Sequence, residues 1–259
     1  MPSPTAPGNT PPSPEAIMGA LTAFQQTAVL KAALALDVFT QIGEGRGTLA
    51  ALASACQASE RGMRILCDRL TVMELLRKQE NHYQLTPDSA AFLNRRSPAY
   101  LGSAADFLAG EQQIEAFARF AEAVRRGGSA LPGDPAMQPD SPQWVSFARN
   151  MAPLQRMPAQ ALAELLLPKP TPSCKVLDVA AGHGLFGVAM AQRNPNAEIY
   201  ALDWPKVLAV AQENAAAAGV ADRLHLIPGS AFEVELGKGY DWVLLPNFLH
   251  HFDVATCEA

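Results

Sequence analysis

Cysteine is scarce and scattered in this chain. The four residues, Cys56, Cys67, Cys174 and Cys257, form neither a C-x-x-C pair nor a compact framework among 259 residues. That excludes a disulfide scaffold and points to free thiols in a reducing, cytoplasmic setting. Charge is sparse too, at 17% of residues, and the net balance is -5. A chain short of positive charge makes a poor nucleic-acid surface. No uninterrupted apolar run is long enough to span a bilayer, and no basic segment leads into an apolar core at the N-terminus. Neither a membrane span nor a secretory signal is expected. Apolar residues are what the chain has in quantity, 49% with much Ala. That suffices for one large or two modest domains with real cores.

The first fourteen residues carry six prolines, Pro2, Pro4, Pro7, Pro11, Pro12 and Pro14. Such a segment buries too little to order itself and reads as a disordered tail, 1–14. Residues 16–39 read as one helix whose apolar stripe, from Ile17, Leu21 and Phe24 onward, is broader than a single buried face requires. It is either a fully buried core helix or one that packs on a second subunit. Thr48 and Ser59 are suitable N-caps for the next two helices, 49–56 and 59–76. A strand near Arg77, a polar turn at Glu80-Asn81 and a strand from His82 to Leu85 follow. Two helices and a hairpin make a winged-helix pattern over 15–100. The pattern raises DNA binding through the helix after Ser59. Its Arg61, Arg64 and Arg69 are offset by Glu60, Asp68 and Glu74, which favours a structural role.

Residues 99–126 read as a further helix, followed by a Gly- and Pro-rich loop from Gly127 to Pro142. Trp144, Phe147 and Met151 then recur at helical spacing. They are either core or the wall of a pocket for a flat apolar ligand. Residues 101–170 thus form a helical connector, closed by the prolines of Pro168-Lys169-Pro170-Thr171-Pro172.

From Lys175 to Gly187 the chain reads Lys-Val-Leu-Asp-Val-Ala-Ala-Gly-His-Gly-Leu-Phe-Gly. An apolar run, a glycine turn and a helix-like segment form the usual cradle for a nucleotide-like ligand. Gly182, Gly184 and Gly187 satisfy the dinucleotide fingerprint G-x-G-x-x-G. Asp178, Ala180, Gly182 and Gly184 also fit D-x-G-x-G-x-G with Ala in the first glycine slot. That second pattern resembles motif I of the class I S-adenosylmethionine (SAM) methyltransferases. Asp178 separates the two readings, because a carboxylate near the end of a buried strand needs a partner. The ammonium of the methionine part of SAM supplies one, and a dehydrogenase has no use for an acid there.

Beyond this motif, strands and helices alternate over 171–259: a strand to Asp203, a helix from Pro205 closed by Gly219, a strand to Pro228-Gly229 and a strand to Pro246-Asn247. The pattern predicts an α/β, Rossmann-like, doubly wound parallel sheet with ligands at the carboxyl ends of its strands. Asp203 is placed to accept from a ribose diol, which NAD and SAM both present, or to cap the helix at Pro205. In the SAM-dependent enzymes that this motif resembles, the residue after the Gly229 position holds the adenine, which makes Ser230 a candidate for it by hydrogen bond; Phe232 is a candidate by stacking. Trp204, beside Asp203, and Asn247, at the end of the fourth strand, join them as candidate cofactor contacts. His250 and His251 follow the fourth strand. Adjacent side chains diverge, so a metal pair is not expected, and a general base suits an imidazole that titrates near neutrality.

These motifs together resemble the bacterial small-molecule O-methyltransferases of the caffeate/acetylserotonin type. The resemblance runs from the helix near Ile17 through Tyr83 to Asp178-Val179-Ala180-Ala181-Gly182-His183-Gly184, Leu202-Asp203-Trp204-Pro205 and Leu249-His250-His251-Phe252-Asp253. It implies a winged-helix dimerisation domain joined to a SAM domain, homodimers, and no metal, nucleic acid or membrane partner. It also implies His250 as catalytic base, with His251 in the slot where plant relatives carry Asp. The chain departs from the family at Ser230, where an acid is usual. It also ends at Ala259, before three further strands and the carboxylate that orients the base. The expectation is a piece of a longer protein; a complete chain would hold a half-site that binds SAM without catalysis. The expected function is SAM-dependent methylation of a hydroxyl on a small aromatic molecule. Its alternatives are a SAM binder with other or lost activity, an NAD-dependent oxidoreductase, and a winged-helix DNA-binding regulator.

Overall fold

The computed structural model describes residues 12–130, 141–167, 169, 171 and 173–258. The expected N-terminal tail lies almost wholly outside them, as do most of the Gly/Pro-rich loop and Pro168, Pro170 and Pro172 of the linker. The chain divides into two compact units, Met1–Gly102 and Ser103–Ala259. Most of the segment expected as a connector falls within the second.

In the first unit the single helix expected over 16–39 is two, α1 (Glu15–Ala35) and α2 (Val38–Gly43). The break is Asp37, in the left-handed region at φ 57°. An Asp tolerates that region when its side chain bonds locally. Here the Thr40 hydroxyl donates to its carboxylate at 2.6 Å and Arg95 Nε donates at 3.2 Å. α3 (Leu49–Ala55) and α4 (Glu60–Val72) begin at Thr48 and Ser59, whose oxygens accept from the Ala51 and Gly62 N–H groups as their sequence positions predict. α4 stops short of the expected Leu76 because the chain turns left-handed at Glu74, φ 59°. Its buried Met63, Cys67 and Leu70 form one helical stripe. β1 (Leu76–Gln79) and β2 (His82–Leu85) are an antiparallel hairpin around Glu80-Asn81. Buried Tyr83 donates its hydroxyl to Asp68 at 2.8 Å, and Lys78 reaches the same oxygen at 2.6 Å. Asp68 of α4 is thereby committed to holding the hairpin. α5 (Pro87–Phe92) starts with a Thr86/Ser89 capping box. The apolar stripe of α1 is largely uncovered in the single chain: Ile17, Met18, Leu21 and Phe24 are 54–69% exposed.

In the second unit the helix expected over 99–126 is three, α6 (Ala104–Leu108), α7 (Glu111–Ala118) and α8 (Phe120–Arg126). Gly110 stands at the first break, where a Cβ would lie 2.7 Å from the Asp106 carbonyl. α9 (Pro142–Leu166) runs 25 residues, continuing through Pro153 and Pro158. It packs on α6, on α10 (Leu185–Arg193) and on α11 (Pro205–Ala217). β3 (Cys174–Val179), β4 (Ala197–Asp203), β5 (Leu224–Pro228) and β6 (Trp242–Leu244) form a parallel sheet in the order β5-β4-β3-β6. α12 (Val254–Glu258) follows. β3 is buried on both faces, which is why it reads as a continuous apolar run. One face carries Val176 and Ile199 against Met190 of α10 and Ala163 of α9. The other carries Leu177, Val179 and Leu202 against Val234, Tyr240 and Phe248 of the irregular segments. The carboxyl ends of all four strands open on one cavity.

Candidate active site

The turn after β3 is set by backbone conformations that few side chains tolerate. Ala180, Gly182 and Gly184 have φ 52°, 58° and 70°. Ala180 therefore occupies a left-handed position better suited to glycine, consistent with its slot in the motif. At Gly184 a Cβ would also come within 2.7 Å of the Ala211 Cβ on α11, so close helix packing as well as φ demands glycine. Gly187 lets α10 approach the sheet: a Cβ there would meet Ile199 at 2.5 Å.

Asp178 lies under this turn with no exposure. Its Oδ2 accepts from the Gly187 N–H at 3.1 Å, and its Oδ1 has no partner among the described residues. Burial pushes its carboxyl up to about 7, and the Gly187 hydrogen bond opposes the shift only in part. Asp203 ends β4 half-buried. Its Oδ2 accepts from the Gly182 N–H at 2.8 Å and its Oδ1 from the Trp204 N–H at 2.7 Å. Burial raises its pKa, and the two backbone bonds pull the other way. Asp203 is not the cap of α11: the cap position is Trp204, which makes no side-chain capping bond. The carboxylate instead ties the β4 end to the glycine turn.

The cavity occupies about 590 Å³. Of the residues singled out from the sequence, Ala180, Gly182, Asp203, Trp204, Ser230, Phe232, Asn247 and His250 line it, as do Trp144, Phe147 and Met151. Asp178 and Gly184 lie behind the wall, shaping it. Ser230 Oγ already accepts from the Phe232 N–H at 3.2 Å. Phe232 is mostly exposed and meets Phe252 edge-on at 5.2 Å. Asn247 sits at φ 54°, turning the chain out of the β6 end toward the histidines. His250 lies on a short 3-10 turn, Leu249–His251, with its ring 4.2 Å from that of His251. His251 in turn stands edge-on to Trp144 at 5.6 Å, and Phe147 packs edge-on between Trp144 and Phe107. This aromatic wall suits a flat apolar guest. Among the described residues no three His, Cys, Asp or Glu side chains are grouped to hold a metal.

Four polar wall residues are absent from the sequence candidates: His183, inside the turn, Gln143 and Gln155 on α9, and Glu233. His183 was legible as the sole ionisable side chain between the two motif glycines. Glu233 had no signal, since an irregular segment carries it there.

With this geometry in view, the similarities to known proteins become interpretable. Residues 18–95 match the O-methyltransferase dimerisation domain and residues 176–259 match a methyltransferase domain. A candidate O-methyltransferase from Nostoc punctiforme PCC 73102, of known structure, is 50% identical with a TM-score of 0.90, over 96% of this chain and 74% of that one. The 3-hydroxy-5-methyl-1-naphthoate 3-O-methyltransferase of Streptomyces sahachiroi is 26% identical over 94% of this chain and 72% of its own length. Human N-acetylserotonin methyltransferase, solved in complex with SAM, shares the fold at 19% identity and a TM-score of 0.69, over 90% of this chain and 70% of that one. The chain belongs to the SAM-dependent O-methyltransferase family that joins this dimerisation domain to a methyltransferase domain.

Proposed function

We propose that the cavity binds SAM at the glycine turn and that the chain moves its methyl group to a hydroxyl of a small, flat, aromatic acceptor. The observation that carries the cofactor assignment is Asp178: a fully buried carboxylate oxygen without a partner among the described residues, beneath a cradle whose glycines keep side chains away. Such a group is costly unless a ligand cation completes it, and the ammonium of SAM is one. Asp203 would hold the ribose with the lone pairs its two backbone bonds leave free. Ser230 and Phe232 would flank the adenine, with Trp204 and Asn247 closing the wall between them.

SAM supplies an already activated methyl group, so the protein's contribution is alignment and proton removal. His250, exposed to the cavity at the end of β6, would take the acceptor's hydroxyl proton. Trp144, Phe147 and Met151 would hold the acceptor's flat face, with Trp144 buttressed by His251. The Streptomyces relative, named for the 3-hydroxyl of a naphthoate, supports an aromatic acceptor.

The dimerisation-domain match and the exposed Ile17, Met18, Leu21 and Phe24 of α1 support a homodimer through a winged-helix domain. Among the described residues no helix is long and apolar enough to cross a membrane. The four cysteines are free, three of them buried, and burial pushes the Cys67 thiol up to about 12. Inert thiols of this kind suit the cytoplasmic setting proposed for the chain.

Calorimetry with S-adenosylhomocysteine (SAH) and separately with NAD tests the assignment. Selective SAH binding is expected. Binding of NAD alone would overturn the role given to Asp178.

A further inference from the structure

His183 has no part in the proposal above, yet its ring is held by the backbone and by a neighbouring ring. It is 4% exposed, and its Nδ1 accepts from the Leu185 N–H at 3.1 Å. Its own carbonyl accepts from Asn214 Nδ2 at 2.8 Å, and Phe186 stacks on the ring with centroids 6.0 Å apart. An Nδ1 that accepts leaves the proton on Nε2. Nε2 has no partner among the described residues, and the ring lines the cavity. Burial holds the imidazole down to about 4, so it faces the cavity as a neutral donor near pH 7.

The same helical turn anchors Asp178. The Leu185 N–H fixes His183 and the Gly187 N–H fixes Asp178, both from the first turn of α10. A buried acid oxygen and a cavity-facing N–H donor, each without a partner among the described residues, thus belong to one turn. An α-amino acid presents the complementary pair, an ammonium and a carboxylate one carbon apart. The positive end of α10 adds to the preference for an anion.

We infer that His183 donates from Nε2 to the carboxylate of the cofactor's amino-acid end, making it a specificity residue for a ligand bearing that group. This rests on the SAM reading given above. A carboxylate on the acceptor would offer the same chemistry, but the shared anchoring with Asp178 favours the cofactor.

The test is calorimetry on the full chain with SAH and with 5′-methylthioadenosine, the same nucleoside thioether without the amino-acid end. His183→Leu is expected to weaken SAH about 10- to 100-fold, the scale of a lost hydrogen bond to a charged group, and to leave 5′-methylthioadenosine within about twofold. His183→Gln, which restores an N–H near the Nε2 position, should recover most of the SAH affinity. Equal loss for both ligands would mean that His183 only shapes the turn and would overturn the inference. So would unchanged SAH affinity in His183→Leu. A wild-type chain that binds 5′-methylthioadenosine and SAH equally would overturn it before any variant is made. A wild-type chain that binds neither would refute the SAM reading itself, and this inference with it.

Discussion

Replacing Asp178 with Asn should have opposite effects on stability and on binding. In the ligand-free protein Asp178 titrates at about 7 rather than its ordinary 3.8, because burial disfavours its charge. Between these values the folded chain holds a proton that the unfolded chain has released. Stability therefore falls as pH rises from about 4 to about 7. At about 1.4 kcal/mol per pH unit, the full change is about 4 kcal/mol. His183 acts in the other direction. Its folded value is about 4 against an ordinary 6.5, so the unfolded chain binds the extra proton and stability rises with pH over that window, by about 3 kcal/mol. The two slopes nearly cancel in the wild type below pH 6.5. Asp178→Asn removes the first and exposes the second.

The quantity to measure is the stability of Asp178→Asn minus that of the wild type, by urea unfolding at pH 5 and pH 8. All three tryptophans, Trp144, Trp204 and Trp242, belong to the second unit, so their fluorescence reports on the unit that holds Asp178. The difference should grow in the variant's favour by about 3 kcal/mol from pH 5 to pH 8, offset at both values by an amide N–H left buried where Oδ1 stood. SAH affinity should fall in the variant. In the wild type it should rise with pH up to about 7, since binding an ammonium requires the ionised acid. A stability difference flat across pH 5–8 would refute the assigned titration. Unchanged SAH affinity would refute the ammonium site.

Four further outcomes are expected. His250→Ala should leave SAH affinity nearly unchanged and lower turnover about 10²- to 10⁴-fold, as loss of a general base does; weakened SAH binding with normal turnover in saturating cofactor would remove it from the proton step. Asp203→Ala should weaken SAH and also lower stability by about 1–3 kcal/mol in urea melts, because Gly182 and Trp204 lose their acceptors. Gly184→Ala should destabilise by about 2 kcal/mol or more, through its φ of 70° and its clash with Ala211; adding Ala211→Gly should recover only the steric part. If the proposed homodimer forms through α1, light scattering should show a dimer for the wild type and monomers once Leu21 and Phe24 are both replaced with Asp; a dimer that persists would place the interface elsewhere.

The parallel sheet was legible because its signals are local. A buried strand needs an apolar run, and a strand-to-helix turn needs glycine wherever φ is positive; residues 174–193 meet both demands within twenty positions. The caps at Thr48 and Ser59 were legible for the same reason, since a hydroxyl and an N–H three residues on decide each. Helix breaks were not. Asp37 ends α1 through Arg95, some sixty residues away, and the pattern around Leu36 contains nothing that foretells it. Gly110 splits the expected 99–126 helix where a single glycine is otherwise tolerated, because the Asp106 carbonyl closes on its missing Cβ.

The site divides along the same line. Residues that end strands were found because strand ends can be counted: Asp203, Ser230, Asn247 and His250 all reach the cavity. What each side chain already holds could not be counted. Asp203 read as free to bind a diol or to cap α11, whereas both its oxygens accept backbone N–H groups, one from the turn 21 residues earlier. Binding and the shape of the turn are therefore coupled at Asp203, and its removal disturbs the ligand and its cradle together. His183 is the inverse case. Given no role by the motif it stands in, it has one nitrogen spent on the backbone and the other without a partner among the described residues. A polar atom left over after the local hydrogen bonds are assigned is a property of the folded chain: among the described residues Asp178 Oδ1 and Trp144 Nε1 are buried without a partner, and His183 turns its second nitrogen to the cavity.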